Sequence, residues 1–251
     1  MKRHTLIWLA CLIGSSPVFA GDCGSAELDE ILGRYVEARG GPAALESQTA
    51  LRLRSTNHEG KWNPEFDYRT MKPGYMWIRA TYDDGEVVEE GFDGKRGWEK
   101  WGDKPGEYVS GDAGRALNQG AMSPVHLYGL HHMKDLGAVI KLQGCDRVDG
   151  REFYVINVVS RFGTDIDYYV STDDYRLERG RSVRPLHPTV DPTPITIEER
   201  WTDFRFVEGV LHPFGYSMWN VDTGERLSWL EVHSIERDRE ATISTFALPP
   251  D

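Results

Sequence analysis

The chain has little positive charge and very little cysteine. Its 251 residues carry 29 Lys and Arg against 40 Asp and Glu, a net charge of −11. A nucleic-acid backbone is bound through a basic surface, so this balance argues against nucleic acid as a partner. Three cysteines are too few for a disulfide-scaffold miniprotein. With 39% hydrophobic residues, a chain of this length is expected to bury a core as one domain, or two at most.

Beyond its first 20 residues the chain also lacks long apolar runs. Residues 1–4 are a short basic start, residues 5–14 are apolar, and Val18 and Ala20 are small residues suited to cleavage after Ala20. This pattern is typical of a secretory signal peptide, which leaves residues 21–251 as a single domain. A membrane anchor is the alternative, but the apolar run is shorter than the roughly 20 residues that a bilayer requires.

Loss of the leader would leave Cys23 and Cys145 as the remaining thiols. In an oxidising compartment they are candidates for a disulfide that ties the N-terminal tail to the body of the fold. Two unpaired thiols are the alternative, and the sequence leaves both open.

Catalytic signatures are missing as well. The sequence has no His-Glu-x-x-His, Gly-x-Ser-x-Gly, phosphate-loop or Cys-x-x-Cys motif. His126, His131 and His132 are clustered, but separations of five and six residues do not place ligands on one helix face. Exposed lid histidines are therefore expected, with no metal, no cofactor and no enzymatic activity. His187 and His212, each followed by Pro, are predicted to be loop and turn residues.

Two spacings of apolar residues dominate the rest of the sequence, one typical of a helix and one typical of β-strands. Apolar residues at helical spacing from Leu28 to Val36, followed by Gly40 and Gly41, predict an N-terminal helix, and residues 42–47 add one more turn. From Ala50 the period is two and Asp-Gly turns recur, which predicts antiparallel strands with one face on a core. About five strands are predicted before residue 110, and about seven follow residue 137, at 138–148, 151–160, 164–171, 175–184, 195–206, 210–220 and 225–236.

The alternation stops at about residues 110–137, which we call the lid. Two short helices are predicted there, at 113–119 and 124–136. Further on, Arg179, Arg181 and Arg184 form a basic spot, interpreted as an edge strand guarded by charge, with a docking patch as the alternative.

Some strands are apolar on both faces. Residues 153–156 are Phe, Tyr, Val and Ile, and Tyr216 and Met218 alternate with Trp219. A curled sheet closed by the lid would enclose an apolar cavity able to take a lipid or acyl chain. A filled core without room for a ligand is the alternative, and both remain open.

Three motifs in order resemble a known family. They are MKPGYMWI at residues 71–78, FDGK at 92–95 with Trp98, and ISTFALPP at 243–250. The resemblance is to the LolA-like periplasmic family of outer-membrane lipoprotein-sorting proteins. It implies a mainly β fold in which about eleven antiparallel strands curl into an unclosed half barrel, with an N-terminal helix and inserted lid helices. Family members hold lipoprotein acyl chains in that cavity and hand them on, without making or breaking a bond.

The resemblance also implies roles for particular residues. In the family's carrier an Arg precedes the motif proline and holds the lid shut, whereas this chain has Lys72, which lacks the planar five-donor fork of Arg. The family's concave aromatics map onto Met76, Ile78 and Trp98. With the doubly apolar strands, these positions predict a ligand-binding wall of Met76, Ile78, Trp98, Tyr168, Tyr216, Met218 and Trp229. The predicted lid residues are Lys72, Leu117, Leu127, Leu130 and Met133.

The favoured hypothesis is thus a monomeric periplasmic protein that binds a lipid, or the acyl chain of a lipoprotein, in envelope lipoprotein sorting and transport. The alternative is an envelope sensor or scaffold of the same fold that docks an inner-membrane, outer-membrane or periplasmic protein.

Overall fold

A computed structural model describes residues 26–187 and 191–250. The predicted signal peptide and Cys23 lie outside the described residues. Within those residues the helices are α1 (Leu28–Ala38), α2 (Pro42–Ser47) and α3 (Gly111–Ala121). The thirteen strands are β1 (Ala50–His58), β2 (Glu65–Met71), β3 (Tyr75–Thr81), β4 (Val87–Phe92), β5 (Gly97–Trp101), β6 (Glu107–Val109), β7 (Val139–Val148), β8 (Arg151–Val159), β9 (Asp165–Ser171), β10 (Leu177–Arg184), β11 (Ile195–Val207), β12 (Val210–Asn220) and β13 (Arg226–Arg237).

All of these strands form one antiparallel sheet in the order β6-β5-β4-β3-β2-β1-β13-β12-β11-β10-β9-β8-β7. The first and last strands of the chain pair at its centre, through β1 and β13. The two edges are therefore β6 and β7, which are consecutive in sequence, and within the described residues they do not pair with each other. The lid is the chain segment that runs between these edges, and its helix α3 contacts β3, β4 and β5.

Helix α1 packs on the main core through its apolar stripe. Ile31, Leu32, Tyr35 and Val36 are buried, as their helical spacing predicts. The chain then turns at two glycines with positive φ, and Pro42 begins α2. Glu27 occupies the N-cap position of α1 without a side-chain hydrogen bond.

The predicted fold class is confirmed: the sheet is curled, antiparallel and open, with helices on it. It contains thirteen strands rather than about eleven. The first lid helix is confirmed over a longer range as α3, but the prediction of a helix over 124–136 is wrong. That stretch contains only a 3-10 turn, Leu130–His132, because Gly129 with φ of 93° interrupts the helical path.

The interpretation of the basic spot as an edge strand is also wrong. β10 lies inside the sheet between β9 and β11, and two of its arginines bind Glu198 of β11. Glu198 is 2% exposed and also accepts from Arg200 at 2.5 Å. Burial opposes its ionisation, but the arginine hydrogen bonds and charges outweigh that effect and hold the pKa of Glu198 below its ordinary value. Arg179 and Arg181 are thus engaged in ion pairs within the sheet.

His212 is a strand residue rather than the predicted turn residue. It lies fully buried in β12, and its Nε2 is 3.2 Å from Oε1 of Gln48. Burial, and then the nearby charge of Arg39, lower the pKa of His212 to about 2, so the imidazole is neutral. His187 lies in the β10–β11 connection, as predicted, against Glu59.

Gly40 provides a test of how tightly α1 joins the sheet. Its φ is +115°, and an added Cβ would lie 2.0 Å from the carbonyl oxygen of Gly209. We expect Gly40→Ala to lower the free energy of unfolding by at least about 2 kcal/mol in denaturant titration, because backbone has to move. Gly33→Ala is the control: no described atom lies within 4 Å of its added Cβ, so it should raise stability by about 0.5–1 kcal/mol. Equal stability of the two variants would contradict this picture.

The buried His212 predicts a dependence of stability on pH. Its pKa is about 2 in the folded protein and about 6.5 when unfolded, so only the unfolded chain gains a proton as the pH falls through 6.5. Its contribution to stability is complete above pH 6.5 and is lost progressively at lower pH. Between pH 7.5 and 5, the wild type should lose about 2 kcal/mol more unfolding free energy than His212→Gln, measured by urea titration. Parallel pH profiles for the two proteins would show that His212 does not stay neutral.

Candidate functional site

A cavity of about 350 Å³ lies between the concave face of the sheet and the lid. Since side chains alternate along each strand, every second residue faces it. Its apolar wall comes from strands across the sheet: Phe66, Met76, Ile78, Tyr168, Trp201, Tyr216, Met218, Leu230 and Val232. The site is therefore an apolar chamber assembled from distant parts of the chain.

Five of the seven predicted wall residues line this cavity: Met76, Ile78, Tyr168, Tyr216 and Met218. Trp201, which the sequence analysis missed, lines it as well, and its pairing with Tyr216 places both rings on the same face. The available signal was the register of the β11–β12 hairpin, set by the turn at Glu208 and Gly209.

Trp98 and Trp229 were wrongly assigned to the wall. Trp229 stacks on His58 with ring centroids 3.8 Å apart, whereas its neighbours Ser228 and Leu230 line the cavity. Trp98 is fully buried elsewhere, and its Nε1 donates to the carbonyl of Phe246 at 2.9 Å. Each tryptophan is adjacent in sequence to the inward-facing positions of its strand. Because neighbouring side chains point to opposite faces of the sheet, a shift of one residue places the ring on the other face.

The underside of the lid is polar and small rather than apolar. Its cavity-lining residues are Ala116, Gln119, Gly120, Ser123 and His126. The predicted lid residues Leu117, Leu127, Leu130 and Met133 are buried but do not line the cavity. Leu117 packs with Met76 and Phe92, and the other three belong to the main core with α1. These leucines and Met133 therefore attach the lid to the rest of the protein.

A residue other than Lys72 fastens the lid. Lys72 Nζ donates to the carbonyl of Leu45 in α2, 2.9 Å away. Arg39, at the end of α1 and 5% exposed, donates instead to the lid carbonyls of Pro124 at 2.9 Å and His126 at 2.5 Å. The planar guanidinium of Arg can donate to two carbonyl oxygens at once in a fixed geometry, whereas the ammonium of Lys is a compact point charge. Lys72, one of the predicted lid residues, thus bonds to α2 rather than to the lid. We call the contact of Arg39 with the two lid carbonyls the latch.

Three tyrosine hydroxyls complete the attachment. Tyr35 donates to Pro124 at 3.1 Å, Tyr68 to Gly120 at 3.3 Å, and the lid's own Tyr128 to Met71 at 3.1 Å. Burial raises the pKa of Tyr68 to about 12, so its hydroxyl keeps the proton that it donates. The lid is held by hydrogen bonds at several points as well as by apolar packing.

His126 lines the cavity from the lid, and it is not the exposed residue that was predicted. Burial, followed by the charge of Arg39, lowers its pKa to about 4, and the neutral ring has no partner for Nδ1 among the described residues. The described residues contain no group of three or more His, Cys, Asp and Glu side chains suited to a metal ion.

Two further features bear on the predicted organisation. Cys145 on β7 is 2% exposed and is disulfide-bonded. Its predicted partner Cys23 lies outside the described residues, so that pairing stays a prediction. In the described part of the chain, no helix is long and apolar enough to cross a membrane.

The latch can be tested by hydrogen exchange. Arg39→Ala should leave two carbonyls of the lid without their donor, costing about 2–3 kcal/mol of local stability. We expect faster amide exchange across residues 110–137, measured by mass spectrometry, with the β11–β13 amides unchanged. Arg34→Ala is the matched control, because Arg34 lies on the same helix and is exposed to solvent. Unchanged exchange of the lid in Arg39→Ala would refute the latch.

This chain is similar to known proteins in its fold rather than in its sequence. No family model and no curated protein matches the sequence. A LolA superfamily protein from Nitrosomonas europaea is similar in structure, with a TM-score of 0.57 at 13% identity over 89% of this chain and 98% of that one. A DUF1329 family protein from Desulfovibrio piger is similar with a TM-score of 0.57 at 11% identity, and the match covers 87% of this chain and 96% of that one.

A third solved structure is the putative outer membrane lipoprotein-sorting protein domain from Vibrio parahaemolyticus. It gives a TM-score of 0.54 at 9% identity and covers 86% of this chain and 94% of that one. At these identities the likeness concerns the fold, and it agrees with the open, curled antiparallel sheet. The chain has a LolA-like fold.

Proposed function

We propose that this protein binds a lipid, or the acyl chain of a lipoprotein, in the bacterial periplasm and takes part in envelope lipoprotein sorting or transport. The observation that carries the proposal is the apolar cavity of about 350 Å³ under the lid. Binding and release of the ligand require no covalent step.

The cavity supplies what an acyl chain needs in an aqueous compartment. Each methylene removed from water is stabilised by roughly 0.8 kcal/mol, so a bound chain gains affinity in proportion to its buried length. The wall provides aromatic, aliphatic and thioether side chains, and residues of the lid line the same cavity. Met76 and Met218 add flexible side chains that adapt to ligands of different shape.

The fold supports the same conclusion less directly, because one fold can host unrelated functions. One similar structure is described as an outer membrane lipoprotein-sorting domain. The predicted leader at residues 1–20 would deliver the chain across the inner membrane. The proposed binding residues are Met76, Ile78, Tyr168, Trp201, Tyr216 and Met218, with Leu117, Leu127, Leu130 and Met133 maintaining the lid above them.

Ile78 provides the test of the binding wall. The protein, produced in the periplasm of a Gram-negative host, should retain a lipid adduct in native mass spectrometry that denaturing extraction releases. Ile78→Glu puts a carboxylate in the path of the chain, and we expect at least a tenfold loss of bound lipid, because an unpaired charge in an apolar site is strongly unfavourable. Secretion should be unaffected.

The matched control is Phe206→Glu, which introduces the same charge at a side chain of β11 that is 65% exposed. It should retain lipid like the wild type. Undiminished lipid in Ile78→Glu would remove the site assignment, and a wild type without any lipid would count against the function.

A further inference from the structure

A second, polar cavity adjoins the apolar one. It has a volume of about 670 Å³ and shares three lining residues with its neighbour, Ala116, Gln119 and Arg184. The remainder of its lining is mainly charged, amide and hydroxyl side chains, among them Asp112, Arg115, Asn157, Thr164, Asp165 and Asp167. An apolar and a polar space therefore meet at one side of the lid.

The polar cavity lies where two strands separate. The β9–β10 pairing ends at Asp167 and Arg181, yet β10 continues to Arg184, paired only with β11. Residues 182–184 consequently have no partner on β9. Both Ser182 and Val183, which alternate in direction along the strand, line the cavity, so the space reaches both faces of the sheet at this gap.

Arg184 stands at the junction of the two cavities with weakly satisfied donors. Its nitrogens reach Glu199 and the carbonyl of Pro185 at 3.4 Å each, and the sulfur of Met218 at 3.7 Å. Its Nε is buried without a hydrogen-bond partner among the described residues. The buried Arg39, by comparison, donates at 2.5 and 2.9 Å. The guanidinium of Arg184 therefore has donor capacity for an additional acceptor.

Nearby carboxylates do not use up this capacity. Glu199 Oε1 accepts from the Tyr216 hydroxyl at 3.0 Å, a shorter bond than its contact with Arg184. Glu59, the other carboxylate that lines the apolar cavity, is bonded to His187. In the polar cavity Asp112 pairs with Arg115, and Asp165 and Asp167 accept from the amide of Asn157. Glu59 thus has its own partner, whereas Glu199 accepts from Tyr216 and also forms a long ion pair with Arg184. The unpartnered Nε and the long contacts of this half-buried guanidinium still leave donors for a ligand oxyanion at the junction.

The volumes indicate the size of the ligand. The apolar cavity, at about 350 Å³, is near the lower end of the roughly 300–1,000 Å³ typical of small-molecule sites, which suits one acyl chain. Resting on the function proposed above, we infer that the ligand is a single-chain amphiphile with an anionic head group. Its chain occupies the apolar cavity, its head group lies in the polar one, and Arg184 binds the carboxylate or phosphate where the two meet.

The test compares amphiphiles of one chain length by calorimetry on delipidated protein, below their micellar concentrations. Lauric acid and lauroyl lysophosphatidic acid carry the two anionic head groups, and 1-lauroyl glycerol is the neutral probe. We expect both anions to bind about tenfold more tightly than the neutral probe, the effect of one charge-assisted hydrogen-bonding group. Arg184→Gln should abolish this preference while leaving affinity for 1-lauroyl glycerol within about twofold, which also shows that the variant is folded.

Arg147→Gln removes an exposed arginine from edge strand β7 and should leave the preference intact. Equal binding of charged and neutral probes by the wild type, or an unchanged preference in Arg184→Gln, overturns the role of Arg184. If the two-chain lipid dilauroyl phosphatidylglycerol binds as tightly as the single-chain anions, the inference that the ligand has a single acyl chain is overturned. In either case binding of amphiphiles, and with it the proposed function, survives. Failure of the wild type to bind any probe overturns both.

Discussion

The two edge strands of the sheet, β6 and β7, are joined directly by the lid, and the rest of the structure depends on this connection. An open sheet exposes its concave face, and the chain between its edges has to cross that face. The crossing segment needs anchors, which the core provides through Leu127, Leu130 and Met133. Because the apolar lid residues are engaged in attachment, the surface that the lid presents to the cavity is left to small and polar side chains.

Arg39 shows how a polar interaction can hold a lid beside an apolar site. Its guanidinium is buried with Tyr35 and two lid carbonyls, so removing it would leave several polar groups unsatisfied at once. Burial, and then the same charge, lowers the pKa values of His126 and His212, so both rings are neutral. One side chain at the end of α1 thereby links helix, lid and sheet, a role that no short motif in the sequence marks.

Strand and turn positions were predictable because they depend on local patterns. The strands from β7 to β13 agree with their predicted ranges to within about two residues, since Asp-Gly turns and two-residue periodicity act over short distances. The second lid helix failed at Gly129, where a positive φ overrides helical spacing. The wall assignment for Trp229 failed for a different reason: which face a strand residue occupies depends on register, and β-bulges between β1 and β13 and between β12 and β13 change the register along β13.

By itself, the sequence determined a mainly β chain of curled antiparallel strands interrupted by a lid, and a wall rich in Met, Tyr and Ile. The strands and the lid follow from periodicity and turn residues, which are local, whereas the half barrel and the positions of Met76 and Ile78 in its wall were implied by the resemblance to the LolA-like family. Only the tertiary structure decided three further features. Arg39 provides the guanidinium that binds the lid, Arg179 and Arg181 pair with the buried carboxylate of Glu198, and Arg184 lies between an apolar and a polar cavity. Each of these depends on contacts between residues far apart in the chain, whose distances are set when the whole sheet has formed.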